Sequence, residues 1–290
     1  MMIDANAERA TLPIGLFDSG VGGLTVLAAL RERLPFEHYC YLGDTARLPY
    51  GTKSSGTVLR YSLQTTEKLV ERNIKLLVVA CNTATAAALP ALREAYAPLP
   101  VIGVVEPGAR AACKAVNGKS GGGNIIVMGT ESTIRGGAYT KAIQAINPGA
   151  RVTGVPCSLF VSLAEEGWMT GSIAEAIAER YLAPVLAKGR PDCIVLGCTH
   201  FPPLAPAIAS VAGPGVPLVD SAATTAEAVQ AALRELGLLR PEEAGEGQVQ
   251  GGSPERLHFL TTDAPERFAR VGSLFLGMKL DSADLELITL

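Results

Sequence analysis

Two cysteines of this 290-residue sequence sit in matching surroundings. Cys81 closes the apolar run of VVACNTATAA (78–87), and Cys198 closes that of IVLGCTHFPP (194–203). Each follows β-branched residues of strand type and precedes polar, hydrogen-bonding side chains. A thiol at the carboxyl end of a strand, where a helix begins, meets free backbone N–H groups and the positive helix end, and both favour thiolate. Two such thiols on opposite faces of a small substrate suit a reaction in which one removes a proton and the other returns it from the far side. That reaction is a racemisation or an epimerisation. One sulfur must be thiolate while the other is thiol, with the roles exchanged in reverse. A reference cysteine pKa of about 8.5 brings that division within reach of neutral pH.

Other polar groups fit around the pair. Asp18 and Ser19 end the first strand-like run, and GLFDSGVGG (15–23) is a glycine loop whose N–H groups can hold a carboxylate. The loop lacks both the Lys-Ser/Thr ending of a P-loop and the GxGxxG spacing, so a phosphate ligand is not indicated. Asn82, Thr83, Thr130, Thr133 and Thr199 offer neutral hydrogen bonds to the ammonium and carboxylates of an amino acid. His200 stands two residues after Cys198 and can exchange protons with that thiol or with the ammonium.

Plainer readings compete at each position. Asp18 suits a helix cap as well as a catalyst. Cys81 with Cys198 could pair as a disulfide, and Cys198, His200, Cys81 and Asp18 could hold zinc, although the CxxC and HExxH spacings are missing. Cys40, Cys113, Cys157 and Cys193 read as small core hydrophobes. His38 and His258 lie in strand-like runs without evident partners and read as structural. Trp168 reads as ordinary packing, and so does Tyr50 on the residues alone.

The elements that must position these groups alternate. PIGLFDSG, HYCYLGDT and IKLLVVACNT are strand-like and are followed by the helical LTVLAALRERLP, TVLRYSLQTTEKLVERN and ATAAALPALREAY. A second set runs from NIIVMGTEST through RVTGVPCS to DCIVLGCTH, again with Ala-rich helical stretches between. Such alternation predicts an α/β fold with mostly parallel sheets covered on both faces, and ligands bind beyond the carboxyl ends of such strands. The loops to watch are therefore DSGVGG, GDTARLPYG, CNT, GTEST and CTH. PVIGVVEPGARAA serves as a crossover between two lobes, and the closing LHFLTTDAPERFARVGSLFLG packs back on the first. The expected division is 13–106 with 219–290 as a discontinuous first lobe, 107–218 as the second, and 1–12 as a flexible extension. GKSGGGN (118–124) reads as a surface turn and RPEEAGEGQVQGGSPE (240–255) as a polar, solvated loop.

Bulk properties remove several classes of function. With 48% hydrophobic and 18% charged residues and a mean hydropathy of +0.26, the chain can build substantial cores and is not of the disordered type. A formal net charge of −3 and the lack of any dense Lys/Arg cluster argue against nucleic acid as a partner. Apolar runs stop well short of the roughly 20 residues that cross a bilayer, and MMIDANAERATLPIG is not a signal peptide by composition. A cytoplasmic location with reduced cysteines follows.

Taken in order, IGLFDSGVGGLTVL, YLGDTARLPYG, VVACNTATA, VIGVVEPGA, GTESTI, VLGCTHFPPL, LVDSA and FLTTDAPERF resemble the glutamate racemases of the aspartate/glutamate racemase superfamily, over most of the chain. The resemblance implies two α/β lobes with the active site in the cleft between them, commonly as a homodimer. It implies a cofactor-independent, metal-free, two-base interconversion of L- and D-glutamate that supplies the D-form for peptidoglycan. Carried over by motif, Cys81 of ACNT acts on D-glutamate with help from Asp18, and Cys198 of GCTH acts on L-glutamate with help from His200. Ser19, Tyr50, Gly51, Asn82, Thr83, Thr130, Thr133 and Thr199 then line the substrate pocket. Glu165 of LAEEG lies near the substrate or His200, with Glu166 beside it in sequence. The N-terminal extension, the SGGG turn and the glycine-rich loop near 250 depart from the pattern and touch no motif. Racemisation of aspartate or another acidic amino acid, a non-reacting amino-acid binding module, and a thiol hydrolase or transferase are the alternatives. The last two leave the second cysteine without a role.

Overall fold

The computed structural model describes residues 5–241 and 256–290, and all strand pairings in it are parallel. The first half runs α1 (Ala5–Ala10), β1 (Ile14–Asp18), α2 (Leu24–Arg33), β2 (Tyr39–Gly43), α3 (Ser55–Val70), β3 (Leu76–Val79), α4 (Asn82–Ala95), β4 (Val101–Gly103) and α5 (Val105–Ala115). The second half follows with β5 (Asn124–Gly129), α6 (Glu131–Gly136), α7 (Ala138–Ile146), β6 (Arg151–Pro156), α8 (Leu159–Glu165), α9 (Ser172–Leu186), β7 (Cys193–Gly197), α10 (Ala205–Ala212) and β8 (Leu218–Asp220). Then α11 (Ser221–Glu235), β9 (Leu257–Thr261), α12 (Pro265–Leu276) and β10 (Leu285–Leu287) complete the elements of the described residues. The α/β class expected from the sequence is the class observed.

Two sheets result. One has the order β10-β9-β2-β1-β3-β4 and the other β6-β5-β7-β8. Every residue of β1, β2, β3 and β7 is buried, as expected of parallel strands covered on both faces. Within each sheet the same four-strand unit recurs. The first strand lies in the middle, its successor pairs on one side, and the third and fourth continue on the other. The chain direction across the sheet therefore reverses between β1 and β3 in one half and between β5 and β7 in the other. Crevices that bind ligands open at the carboxyl ends of strands flanking such a reversal. Asp18 ends β1 and Cys81 lies just past β3, while Thr130 and Cys198 directly follow β5 and β7.

The helix α11 packs along both α2 and α5, and Arg33 of α2 donates to Gln230 Oε1 at 3.0 Å across that seam. The last two strands extend the first sheet beyond β2: β9 runs beside it with Tyr41 level with Phe259. Among the described residues no helix is long and apolar enough to cross a membrane.

The expected flexible extension at 1–12 needs correction where it is described. Residues Ala5–Ala10 are helical, Ala10 is buried, and its carbonyl accepts a 2.7 Å bond from Lys75 Nζ. Lys75 is itself fully buried, donates to Leu238 O at 2.8 Å and pairs with Glu37 Oε2 at 2.6 Å. A buried ammonium must find acceptors, and the N-terminal helix supplies one. The SGGG segment is a turn, exposed at Ser120 and Gly121 and buried at Gly123, with Gly121, Gly122 and Gly123 at positive φ as its composition suggests. The polar stretch at 240–255 lies almost wholly outside the described residues.

Candidate active site

Cys81 is the residue at which β3 becomes α4. Its backbone is extended (φ −72°, ψ 121°), and its Sγ accepts from Ala84 N at 3.4 Å, so the sulfur occupies the N-cap position usually held by Ser, Thr, Asp or Asn. The thiol also points at Ser19 Oγ, 3.7 Å away. Burial pushes its pKa up to about 12, the neighbouring Asp18 charge adds to the rise, and Cys198 contributes in the same sense. The two sulfurs therefore lie within electrostatic reach of one another.

Cys198 differs from the sequence expectation. No α-helix starts beside it: a turn over 199–201 and a single 3-10 turn at Pro202–Leu204 intervene before α10. Pro202 and Pro203 explain this, because neither has an N–H to bond back to the carbonyls of Cys198 and Thr199, as an α-helix starting there would require. The partner that Cys198 does have is His200, with Sγ to Nδ1 at 3.9 Å. The other ring nitrogen, Nε2, meets Glu165 Oε1 at 3.1 Å, and Glu165 Oε2 accepts from Arg267 Nη2 at 2.6 Å. Burial by itself would depress His200. The hydrogen bonds to Cys198 and Glu165 outweigh it, together with the charges of Cys198 and Asp18, and His200 is raised to about 10. Burial would likewise raise Glu165, and the bonds and charges of His200 and Arg267 overcome it and hold the carboxylate below its usual range. The chain Cys198, His200⁺, Glu165⁻, Arg267⁺ reaches from the second sheet to α12 of the first.

Asp18 is buried and raised, chiefly by burial, with the His200 charge and backbone N–H groups of Gly23, Gly20 and Ser19 pulling the other way. Its Oδ2 accepts from Gly20 N at 3.0 Å. It does not cap α2, whose N-cap Gly23 has no side-chain bond. Gly22 and Gly23 of this loop are required by close approach: a Cβ on Gly22 would lie 2.4 Å from His200 Cε1 and Nδ1 and from Thr199 Oγ1, and one on Gly23 2.6 Å from Asp18 Cβ. The two halves touch here without a gap. Thr25 Oγ1 reinforces the contact by donating to Thr199 O at 3.0 Å.

On the other side Thr83 of α4 meets Thr130 and Thr133 of the second half, with Oγ1 separations of 3.0 Å and 3.1 Å, and the latter two are 3.0 Å apart. Thr130 also caps α6. Gly51 packs against this triangle, where an added Cβ would lie 2.8 Å from Thr130 Cβ. Within this group of residues two buried polar atoms have no hydrogen-bond partner in the protein, Asp18 Oδ1 and Asn82 Nδ2. One is an acceptor suited to an ammonium and the other a donor suited to a carboxylate.

The structure thus gathers Asp18, Ser19, Gly51, Cys81, Asn82, Thr83, Thr130, Thr133, Glu165, Cys198, Thr199 and His200. Tyr50 is placed otherwise. Its ring is fully buried against Tyr61, and its hydroxyl donates to Asp44 Oδ2 at 2.5 Å, so it anchors the loop that presents Gly51. Glu165, and not Glu166, holds His200. All six cysteines are free and buried, so Cys81 and Cys198 are not joined. Among the described residues no three His, Cys, Asp or Glu side chains gather as a metal-holding group. His258 has a partner after all, Glu286 at 2.8 Å. Sequence reasoning missed Asp44, Tyr139, whose hydroxyl donates to Asn82 Oδ1 at 2.7 Å, and Arg267. The first lies within GDTARLPYG and was available to it. The others are joined to their partners only by folding.

The profile of the family described as Asp/Glu/Hydantoin racemase matches residues 24–229. A glutamate racemase of Geobacter metallireducens is 51% identical over 92% of this chain and 93% of its own, and one of Syntrophus aciditrophicus is 44% identical over 94% and 95%. Among solved structures, glutamate racemase from Francisella tularensis in complex with D-glutamate superposes with a TM-score of 0.83 at 34% identity, covering 97% of this chain and 98% of that one. The Thermus thermophilus glutamate racemase in complex with β-chloro-D-alanine gives 0.82 at 40% identity, with the same coverage.

Proposed function

The chain belongs to the Asp/Glu/hydantoin racemase family, and from that premise we propose that it interconverts L- and D-glutamate by proton transfer between two cysteines. The observation that carries this reading is the equivalence of Cys81 and Cys198: each follows the strand across the reversal from the first strand of its sheet, and each has its own ionisable helper. In one direction Cys198 as thiolate takes the Cα proton of L-glutamate, and the Cys81 thiol delivers its proton to the opposite face. Cys198 is left protonated and Cys81 ionised, which is the starting state for the return reaction. His200, charged and hydrogen-bonded to Cys198, exchanges the proton on that side. Asp18 faces the substrate ammonium and lowers the cost of placing it beside a sulfur. The difficult step is to stabilise negative charge arising at Cα as the proton leaves. That charge spreads into the α-carboxylate, where Asn82 Nδ2 and the threonine hydroxyls can donate.

On this reading the protein works in the cytoplasm, without cofactor or metal, as a homodimer that feeds D-glutamate to peptidoglycan and so to cell shape. The lobes are 13–106 with 219–290 and 107–218, and the substrate is held between them. Tyr50 contributes to substrate binding through the loop it anchors.

The test is proton NMR of chelator-treated protein with L-glutamate in D₂O, read together with optical rotation. Loss of the Cα proton signal and decay of rotation to zero support the reading. No exchange with folded, reduced protein overturns it, and exchange with L-aspartate alone reassigns the substrate. Cys81→Ala and Cys198→Ala are each expected to abolish racemisation, and light scattering reports the dimer.

A further inference from the structure

Tyr139 of α7 connects the two cysteine loops, though it is neither a reacting group nor in a recognised motif. Its hydroxyl donates to Oδ1 of Asn82, the residue after Cys81, at 2.7 Å. Its ring lies against Gly197, the residue before Cys198: a Cβ there would be 3.0 Å from Tyr139 Cε2. On the other edge Gly108 of α5 leaves the same small clearance, 3.2 Å to Cε1. Both Tyr139 and Asn82 are almost wholly buried, so neither side chain is free to turn into solvent.

The bond has a chemical consequence at Asn82. A carboxamide has an accepting and a donating end, and only one can face Tyr139. Asn82 Oδ1 is the one hydrogen-bond partner of the Tyr139 hydroxyl among the described residues. If the amide turned over, the buried hydroxyl proton would lose its acceptor and Oδ1 would face the site. A carbonyl oxygen there repels a carboxylate. In the observed orientation Nδ2 has no protein partner and is left for a ligand.

We propose that Tyr139 is a positioning residue of this active site, which holds the Asn82 amide with its donor toward a substrate carboxylate and fixes the approach of the two cysteine loops. The inference rests on the glutamate reading above. Steady-state racemisation by the wild type, Tyr139→Phe, Asn82→Ala and the double variant tests it. Phenylalanine keeps the ring packing and removes the hydroxyl. Tyr139→Phe is expected to raise KM for glutamate about tenfold while kcat changes less, in line with the loss of one aimed hydrogen bond to a charged group. In the Asn82→Ala background the same change is expected to move KM less than about twofold, since a positioning effect has nothing left to position. A purely structural role would lower activity equally in both backgrounds, and that result overturns the proposal, as does an unchanged KM in Tyr139→Phe. A wild type that racemises neither enantiomer overturns the glutamate reading and this inference with it.

Discussion

Replacing Glu165 by glutamine isolates the charge that holds the His200 proton. His200 moves from a free value of 6.5 to about 10, a rise of 3.5 pH units. At about 1.4 kcal/mol per unit, the folded protein grips this proton more tightly than the unfolded chain by about 5 kcal/mol. Because the folded-state pKa is the higher one, that stabilisation is complete below pH 6.5, declines between 6.5 and 10, and is absent above. Glutamine retains an acceptor for Nε2–H and loses the charge. Hydrogen bonds to charged groups contribute ~1.5–3 kcal/mol against ~0.5–1.5 for neutral ones, so the variant should give up roughly 1.4 kcal/mol of that grip. The His200 midpoint then falls by about one pH unit. Arg267, itself half-exposed, also loses its partner, and a guanidinium this open to solvent adds about 1 kcal/mol or less, evenly across the range. The assay is denaturant unfolding of both proteins from pH 6 to 10.5. The stability gap should be widest below about pH 9 and narrow by ~1.4 kcal/mol at the alkaline end. In kinetics, L- and D-glutamate have equal free energy, so kcat/KM must fall by one common factor in both directions, about tenfold, while kcat and KM separately are free to divide unequally. A gap that stays flat across this range, with an unmoved His200 resonance, would refute the argument.

Two further outcomes follow from contacts at other places in the fold. Gly22→Ala puts a methyl group into His200 and Thr199, and His200 cannot retreat because Glu165 and the Phe275 ring, 5.2 Å away, enclose it. Overpacking of this kind costs ~1–3 kcal/mol, and misplaced catalytic groups cost up to ~100-fold in rate, so kcat/KM should drop at least tenfold with only a modest fall in Tm. Wild-type turnover would show that the glycine loop yields freely. Lys75→Met takes the ammonium from the buried Glu37 carboxylate, which keeps a bond from Arg240 N at 2.9 Å, and from two backbone carbonyls. Unfolding should show a loss of ~3–5 kcal/mol with kcat unchanged in the folded fraction, and a loss below ~1 kcal/mol would mean that the pair is not what ties the N-terminal helix down.

The strands and the cysteines were legible because local pattern and local chemistry coincide there. An apolar run such as IVLG must be a buried strand, and the polar residue that ends it must lie at the sheet's edge, where binding occurs. Glu165 was within reach only through family likeness, because LAEEG by itself does not say which acid turns inward. Arg267 and Tyr139 were out of reach, since their partners lie 102 and 57 residues away and no periodicity relates them. Cys198 was misjudged at the helix start because the strand pattern outweighed the two prolines that follow it. The N-terminal helix was missed for a similar reason: what orders it is Lys75, a charged residue in a position that patterning assigns to surface.

A chain of L-residues can repeat a unit by rotation but never by reflection. The units β2-β1-β3-β4 and β6-β5-β7-β8 are therefore two gloves of the same hand. A pocket between them cannot present the same wall to both members of a mirror-image pair. What the sulfurs are given reflects this, with an acid and a serine beside one and an imidazole and a carboxylate beside the other. A handed catalyst for a mirror-symmetric equilibrium is necessarily lopsided, and its two sides can be tuned apart by substitution while the equilibrium between the antipodes stays where symmetry puts it.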